Sequence, residues 1–253
     1  MAGSLKLSNQ NVVITGVASG IGATQASLFL ENGAQVWGCD IQETGLVQKL
    51  SAKYPERFFF AHCDVRSGKA LKEFAHQALV SMKRVDILLN TAGILDGYKP
   101  SLETSEAQWD DVMDTNLKSM FRLTNHLLPS MLEHNHGVIV NMASIAGIVA
   151  GGGGAVYTAA KHAIVGYTKQ LDYDYASHGI RANCIAPGAI KTPMNKADFA
   201  GDAAMAKKVA QETPASRWAK PEEVADLTLF LASAKADYIH GAVIPIDGGW
   251  IEK

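Results

Sequence analysis

Cysteine is scarce in this chain, with three in 253 residues and no two in a C-x-x-C spacing. That excludes a disulfide framework and a thiolate metal site, so Cys39, Cys63 and Cys184, set in or beside apolar strand-like runs, are expected to be core thiols in a reducing cytoplasm. Charge of one sign is also lacking. Twenty-three basic residues face 25 acidic ones for a net charge of −2, which leaves no footprint for nucleic acid or an anionic membrane surface and points to a small-molecule partner. Eight histidines occur without H-E-x-x-H or related ligand spacing; His134 and His136 read as a helix end, and no catalytic metal is expected. Long hydrophobic runs are absent too. Residues 137–160 carry no formal charge, but Asn141, Ser144 and Gly151 to Gly154 interrupt them, against a membrane span. The opening Met-Ala-Gly-Ser-Leu-Lys-Leu-Ser has no apolar signal-peptide core, consistent with a cytoplasmic protein.

What is present is an alternation of short β-branched runs and helical patterns. Residues 11–15 form a strand pattern ending in Gly16. Ala-Ser-Gly-Ile-Gly then leads into a helix reaching about Asn32. Gly16, Gly20 and Gly22 allow backbone amides to approach a pyrophosphate at the positive helix N-terminus, although tight turns alone also need glycines. A second strand, 35–40, ends in Asp40, which lies 18 residues beyond Gly22, close to the ~20 expected for an acid that bonds an adenosine ribose. Further strands are predicted at 58–62, 87–90, 137–142, 181–186 and 243–246. Between them the pattern predicts helices at about 42–54, 105–134, 155–178 and 221–231. Asp64, after the third strand, either bonds an adenine edge or caps the helix beginning near Arg66.

Asn116 stands inside the long helix, where asparagine is a poor interior residue unless its amide has a task. Residues 195–213, rich in Ala and Lys without a strong apolar stripe, read as a mobile flap. No linker or internal repeat divides the chain. The prediction is one domain over 1–253, an α/β Rossmann-type doubly wound parallel sheet with helices on both faces. Gly16, Asp40, Asp64, Asn90, Ser144 and Pro187 fall at carboxyl ends of predicted strands, where such sheets bind ligands.

Tyr157 and Lys161 are four apart in an alanine-rich helix, so their side chains share one face at about 5 to 6 Å between Cβ atoms. A phenol beside a fixed cation is a candidate acid/base, because the ammonium favours the phenolate. Taken alone, Tyr-x-x-x-Lys also describes any amphipathic helix with a snorkelling lysine.

Thr15-Gly-Val-Ala-Ser-Gly-Ile-Gly22, Asn116, Ser144, Tyr157-x-x-x-Lys161, Pro187-Gly188, Thr192 and Asp247-Gly-Gly249 occur in this order. Together they make the chain resemble, over nearly its whole length, the compact short-chain dehydrogenases/reductases. The resemblance implies an NAD-dependent oxidoreductase that interconverts a secondary alcohol and a ketone. Tyr157 would exchange the proton, Lys161 would lower its pKa and hold the ribose, Ser144 would bond the reacting oxygen, and Asn116 would hold a water linking Lys161 to solvent. Ile21, Asp64, Val65, Asn90 and Gly93 would line the adenosine half of NAD(H). Ile190 and Thr192 would hold the carboxamide, and Ser19, Ile41, Ala92, Pro187 and Gly188 complete the cofactor set.

Family topology also puts Ile145, Val149, Ile190, Met194 and Phe199 around an uncharged, apolar substrate pocket, with Gly151 to Gly154 either leaving room for a bulky group or forming a flexible turn. A homotetramer built on the long helices is implied as well. The usual Asn-Asn-Ala-Gly reads Asn90-Thr91-Ala92-Gly93 here. Asp40, with no base at Ser19 or Ile41, predicts NAD over NADP. Two alternatives are a 3-oxoacyl-[acyl-carrier-protein] reductase, with Lys207 and Lys208 toward an acidic carrier, and a non-catalytic NAD(H)-binding sensor, which should have lost Tyr157 or Lys161. The sugar-nucleotide epimerase branch, with Thr-Gly-x-x-Gly-x-x-Gly on a longer chain, does not match the spacing here.

Overall fold

The computed structural model describes residues 7–252. Most of the opening segment, expected to lack a signal core, lies outside the described residues. Seven strands, β1 (Asn11–Thr15), β2 (Gln35–Asp40), β3 (Phe58–His62), β4 (Ile87–Asn90), β5 (Gly137–Met142), β6 (Ile180–Pro187) and β7 (Val243–Ile246), form one sheet. Its order is β3-β2-β1-β4-β5-β6-β7, and every neighbouring pair is parallel. Side-chain alternation explains why the central strands read as continuous apolar runs: both faces are covered. Val12, Ile14, Ile87, Leu89, Val138 and Val140 meet α1 (Gly20–Glu31), α2 (Gly45–Lys53) and α8 (Pro221–Ala232). Val13, Leu88 and Ile139 point the other way, onto α3 (Gly68–Met82), α5 (Ser119–Glu133) and the end of α6 (Ala155–Tyr175).

The long helix expected over 105–134 is divided. α4 (Glu106–Met113) passes through a π-helical stretch, Asp114–Lys118, before α5 begins. Asn116 lies at the centre of that stretch. Its carboxamide accepts from the Ile94 N–H at 2.8 Å and donates to the Ile94 carbonyl at 2.9 Å. This paired bond to a distant loop holds the widened turn, and local periodicity carries no trace of it. The helix that carries Tyr157 also ends earlier than expected, at Tyr175, followed by a 3-10 turn at Ala176–His178.

Residues 195–213, expected to form a flap, overlap two helical pieces, a 3-10 stretch at Pro193–Phe199 and α7 (Ala204–Glu212). Trp218 ties them down: its indole donates to the Ala206 carbonyl at 2.9 Å, and its ring packs 4.9 Å from that of Phe199. Cys39, Cys63 and Cys184 are buried free thiols, with Cys63 just beyond β3. Among the described residues, no helix is long and apolar enough to cross a membrane.

Candidate active site

The chain leaves β1 for β2 and β3 on one side and returns to β4 on the other, so the crevice at the carboxyl ends of β1 and β4 is the topological switch point. A cavity of about 920 Å³ opens there.

Its first wall is the glycine turn. Gly16, with φ +80, sits where a Cβ would come within 3.0 Å of Ala92 Cα. At Gly22 a Cβ would lie 2.1 Å from the Gly16 carbonyl oxygen, so this turn closes only around glycine. Ser19, Gly20 and Ile21 line the cavity at the start of α1, and Thr192 leans over Gly20 from the far side, 3.4 Å from its built Cβ. Asp40 ends β2 beside this turn. One carboxylate oxygen accepts from the Ala18 N–H at 3.0 Å and the other from the Gln42 N–H at 3.1 Å. The carboxylate is thereby aimed, and Ile41 next to it is half exposed.

Asp64 and Val65 also line the cavity. Asp64 is not a helix cap: Ser67 caps α3 by accepting from the Ala70 N–H. The Asp64 carboxylate is instead gripped by Arg66, 2.7 Å away, whose guanidinium also pairs with Asp111. The Arg66 hydrogen bonds hold the Asp64 carboxyl below the usual carboxylate range.

Asn90 does not reach the cavity lining. Its amide is buried and donates to Asn141 Oδ1 at 2.8 Å, and Asn141 donates onward to Thr168 at 2.9 Å, so it ties β4 to β5 and α6. The loop after it does line the cavity, through Thr91, Ala92 and Gly93. Thr15 Oγ1 accepts from the Thr91 and Ala92 N–H groups. The departure at Thr91 has its own use, since that hydroxyl donates to Gln25 at 2.7 Å and Gln25 donates to Thr228 on α8.

Tyr157, Lys161 and Ser144 share the next wall. Ser144 caps a 3-10 turn at Ile145–Gly147 by accepting from the Ala146 N–H, and it hydrogen-bonds the Tyr157 hydroxyl. Lys161 Nζ donates to the Met142 carbonyl at 2.7 Å and stands 5.4 Å from the centroid of the Tyr157 ring. Burial lowers the Lys161 amine to about 8. Burial also pushes the Tyr157 phenol up to about 12, against the Ser144 bond that lowers it and with the charge of Tyr98 and Asp96 adding to the rise. Burial is thus the largest cause of the Tyr157 shift, and Lys161, expected to lower it, is not among its causes. Asn116 is not in the lining, but Gly93 is packed between it and Lys161: a Cβ on Gly93 would meet Asn116 Oδ1 at 3.2 Å and Lys161 Nζ at 3.8 Å.

Pro187, Gly188, Ile190, Thr192, Ile145 and Met194 line the remaining side as expected. Val149 and Phe199 do not. Val149 continues the turn after Ser144 by bonding back to the Ile145 carbonyl, and Phe199 packs between Trp218 and the Lys191 ammonium. Their places are taken by Leu95, Tyr98, Met205, Trp218 and Trp250, contributed by loops and α7 whose positions only tertiary packing fixes. The pocket is also not free of charge, since Asp198, Lys208 and Glu212 reach its rim. Of the four glycines, Gly151 and Gly152 line the cavity, whereas Gly153 and Gly154 are needed for close packing. Built Cβ atoms there would lie 2.4 Å from the Tyr157 ring and 2.5 Å from Asp96 Oδ2. Among the described residues no group of three or more His, Cys, Asp or Glu could hold a metal ion.

Sheet order, glycine turn and crevice define a Rossmann-type α/β protein whose crevice is lined by the glycine turn and by a serine, a tyrosine and a lysine. The family model described as Enoyl-(Acyl carrier protein) reductase matches residues 16–251. The 3beta-hydroxysteroid dehydrogenase 2 of Eggerthella lenta is 36% identical over 248 residues, covering 96% of this chain and 95% of its own. The 3-oxoacyl-[acyl-carrier-protein] reductase of Thermotoga maritima is 35% identical over 251 residues, covering 98% and 100%. A solved structure from Beutenbergia cavernae, assigned as an NAD(P)-dependent gluconate 5-dehydrogenase with NADP bound at low occupancy, superposes with a TM-score of 0.91 at 33% identity, covering 99% of this chain and 100% of that one. The chain belongs to the short-chain dehydrogenase/reductase family of oxidoreductases.

Proposed function

We propose that this protein is an NAD(H)-dependent enzyme interconverting a secondary alcohol and a ketone, acting on a substrate with a bulky apolar body. The observation that carries the proposal is the convergence of Ser144, Tyr157 and Lys161 on one wall of a cavity that also contains the glycine turn and Asp40. When bound, a nicotinamide dinucleotide would supply or accept the hydride. Gly16, Gly20 and Gly22 fit its diphosphate, because side chains there would fill the approach. Asp40 fits the adenosine ribose hydroxyls, its oxygens already aimed by backbone amides.

The protein's own chemistry lies at two atoms. Tyr157 Oη, protonated at neutral pH by its buried setting, donates to the ketone oxygen in reduction and takes the proton back from the alcohol in oxidation. Ser144 Oγ stabilises the oxygen as charge develops. Lys161, with its amine near pH 8, is placed to relay that proton, and Gly93 packs against it.

NAD over NADP is supported by the local charge. Arg66, in the same cavity lining as Asp40, is already committed to Asp64 and Asp111, so a 2′-phosphate beside Asp40 would meet a carboxylate. The NADP in the Beutenbergia cavernae structure makes this an open choice for the family and a direct object of assay. Leu95, Tyr98, Ile145, Met194, Met205 and Trp218 suit an apolar ring system, as the steroid enzyme's name also suggests.

A 3-oxoacyl carrier substrate is the second reading, favoured by the Thermotoga maritima relative and by Lys208 at the cavity rim. We further propose a cytoplasmic homotetramer; half-exposed Trp109 and Phe121 on α4 and α5 are apolar enough to face a partner. A panel of cyclic ketones, sugar acids and a 3-oxoacyl carrier, run with NADH and NADPH, tests the reading. Highest efficiency with a cyclic ketone and NADH is expected. Preference for the carrier substrate would install the second reading, and turnover of none would reject both.

A further inference from the structure

α6 begins without a side-chain cap of its own. Its N-cap is Gly154, and no side chain in its first turn accepts from the unpaired amides. The acceptor comes from far away in sequence. Asp96, on the loop after β4, is buried, and one of its oxygens accepts from the Gly154 N–H at 3.0 Å while the other accepts from the Tyr157 N–H at 2.9 Å. The same carboxylate accepts from the Tyr98 N–H at 3.0 Å. No cationic side chain pairs with it among the described residues. The loop is docked further by Gln108, which donates to the Asp96 carbonyl at 2.7 Å, and by the Lys99 carbonyl, which accepts from the Ala155 N–H at 3.0 Å.

Two features show that this arrangement is specified. Gly154 packs so closely on Asp96 that a Cβ would lie 2.5 Å from Oδ2. Gly97 and Tyr98 both take left-handed backbone, φ +70 and +60, and for an aromatic residue that conformation costs of order 1 to 3 kcal/mol unless neighbours hold it. Asp96 is the neighbour that holds it. One buried carboxylate therefore fixes two tyrosines by their backbone amides: Tyr157 on the wall that carries Ser144, and Tyr98 on the loop facing the cavity.

We propose that Asp96 is a positioning residue for Tyr157, setting the register of the first turn of α6 and keeping the phenol and the Tyr98 wall in one fixed relation. It touches neither substrate nor cofactor and acts through the Tyr157 amide. This rests on Tyr157 being the acid/base of the proposed reaction. Its charge also favours the protonated phenol. The other titratable and charged groups around Tyr157 are Tyr98 from the loop, Lys161 on its own helix, and Asp198, Lys208 and Glu212 at the cavity rim.

The test is Asp96→Asn in the full chain, assayed with the best ketone and NADH from the screen. An amide can accept at one oxygen only, so one of the three N–H groups faces another donor. A displacement of ~1 Å at the reacting group is worth about a hundredfold, so kcat should fall about 10- to 100-fold. NADH affinity should stay within about twofold, and the alkaline limb of kcat should move to lower pH because the charge is gone. Amide exchange at Gly154 and Tyr157 should quicken by about tenfold while the rest of α6 is unchanged. Wild-type kcat, or a lost kcat with an unmoved limb, would overturn the proposal. If the variant does not fold, Asp96→Ser, with a single hydroxyl acceptor, is read the same way. If the wild type turns over nothing, the functional reading fails by itself, and the exchange measurement still decides: unchanged first-turn protection would overturn the anchoring.

Discussion

Lys161 holds its ammonium 5.4 Å from the centroid of the Tyr157 ring while donating to the Met142 carbonyl at 2.7 Å. The cation is fully inside the protein, and its drop from the ordinary 10.5 to about 8 corresponds to roughly 3 kcal/mol of unfavourable burial. Below about pH 8 the amine is protonated in both folded and unfolded chains, so the folded state carries the whole cost. Between 8 and 10.5 the folded amine is neutral while the unfolded one still binds a proton, and the cost fades. Lys161→Met should therefore gain most over wild type, by melting temperature, at pH 7, with the advantage shrinking by pH 10. A pH-independent difference, or one that grows, would show that the amine is not buried as a charge.

Asp40→Arg should move preference from NADH towards NADPH. At ~4 Å each carboxylate–phosphate pair costs on the order of 1 kcal/mol in water and ~4 at an effective dielectric of 20, about fivefold to nearly a thousandfold in affinity. Comparing kcat/KM for both cofactors in both proteins checks it. A wild type that already prefers NADPH would refute the role given to Asp40.

Gly22→Ala places a methyl 2.1 Å from the Gly16 carbonyl oxygen, a contact that only backbone movement can relieve. A loss of roughly 1 to 3 kcal/mol in stability is expected, with NADH binding weakened in the same variant. Calorimetry and fluorescence titration measure the two. Unchanged binding would mean that the glycine turn does not hold the diphosphate.

Met205→Glu sets a carboxylate among the apolar residues of the substrate end. KM for a cyclic ketone should rise about tenfold or more, while NADH affinity is unaffected. Equal KM values would show that α7 does not border the bound substrate.

The sheet was legible because both its faces are covered, so Val12 to Ile14 and Ile87 to Leu89 are apolar at every position, and Gly16 and Thr91, just past their strands, line the crevice. The glycine turn and Tyr157-x-x-x-Lys161 were legible because each is a local requirement: a turn that admits no Cβ, and two side chains one helical turn apart. What escaped depends on partners distant in sequence. Asn116 bends its helix for the sake of Ile94, and Asp96 serves an amide 58 positions further on. Phe199 was misplaced for the same reason, since its ring follows Trp218 and not the periodicity of its own segment. Asp198, Lys208 and Glu212 were hidden because the 3-10 stretch at Pro193–Phe199 and α7 carry them to the cavity, a placement that local periodicity does not set.

Tyr157→Phe tests the central claim most directly, because it removes one hydroxyl from a buried ring that packs on Gly153 and leaves the cradle intact. Consumption of NADH with the best ketone should be abolished, while NADH affinity by fluorescence titration stays within about twofold of wild type. Substantial turnover in the variant would contradict the account, for it would mean that another group moves the proton.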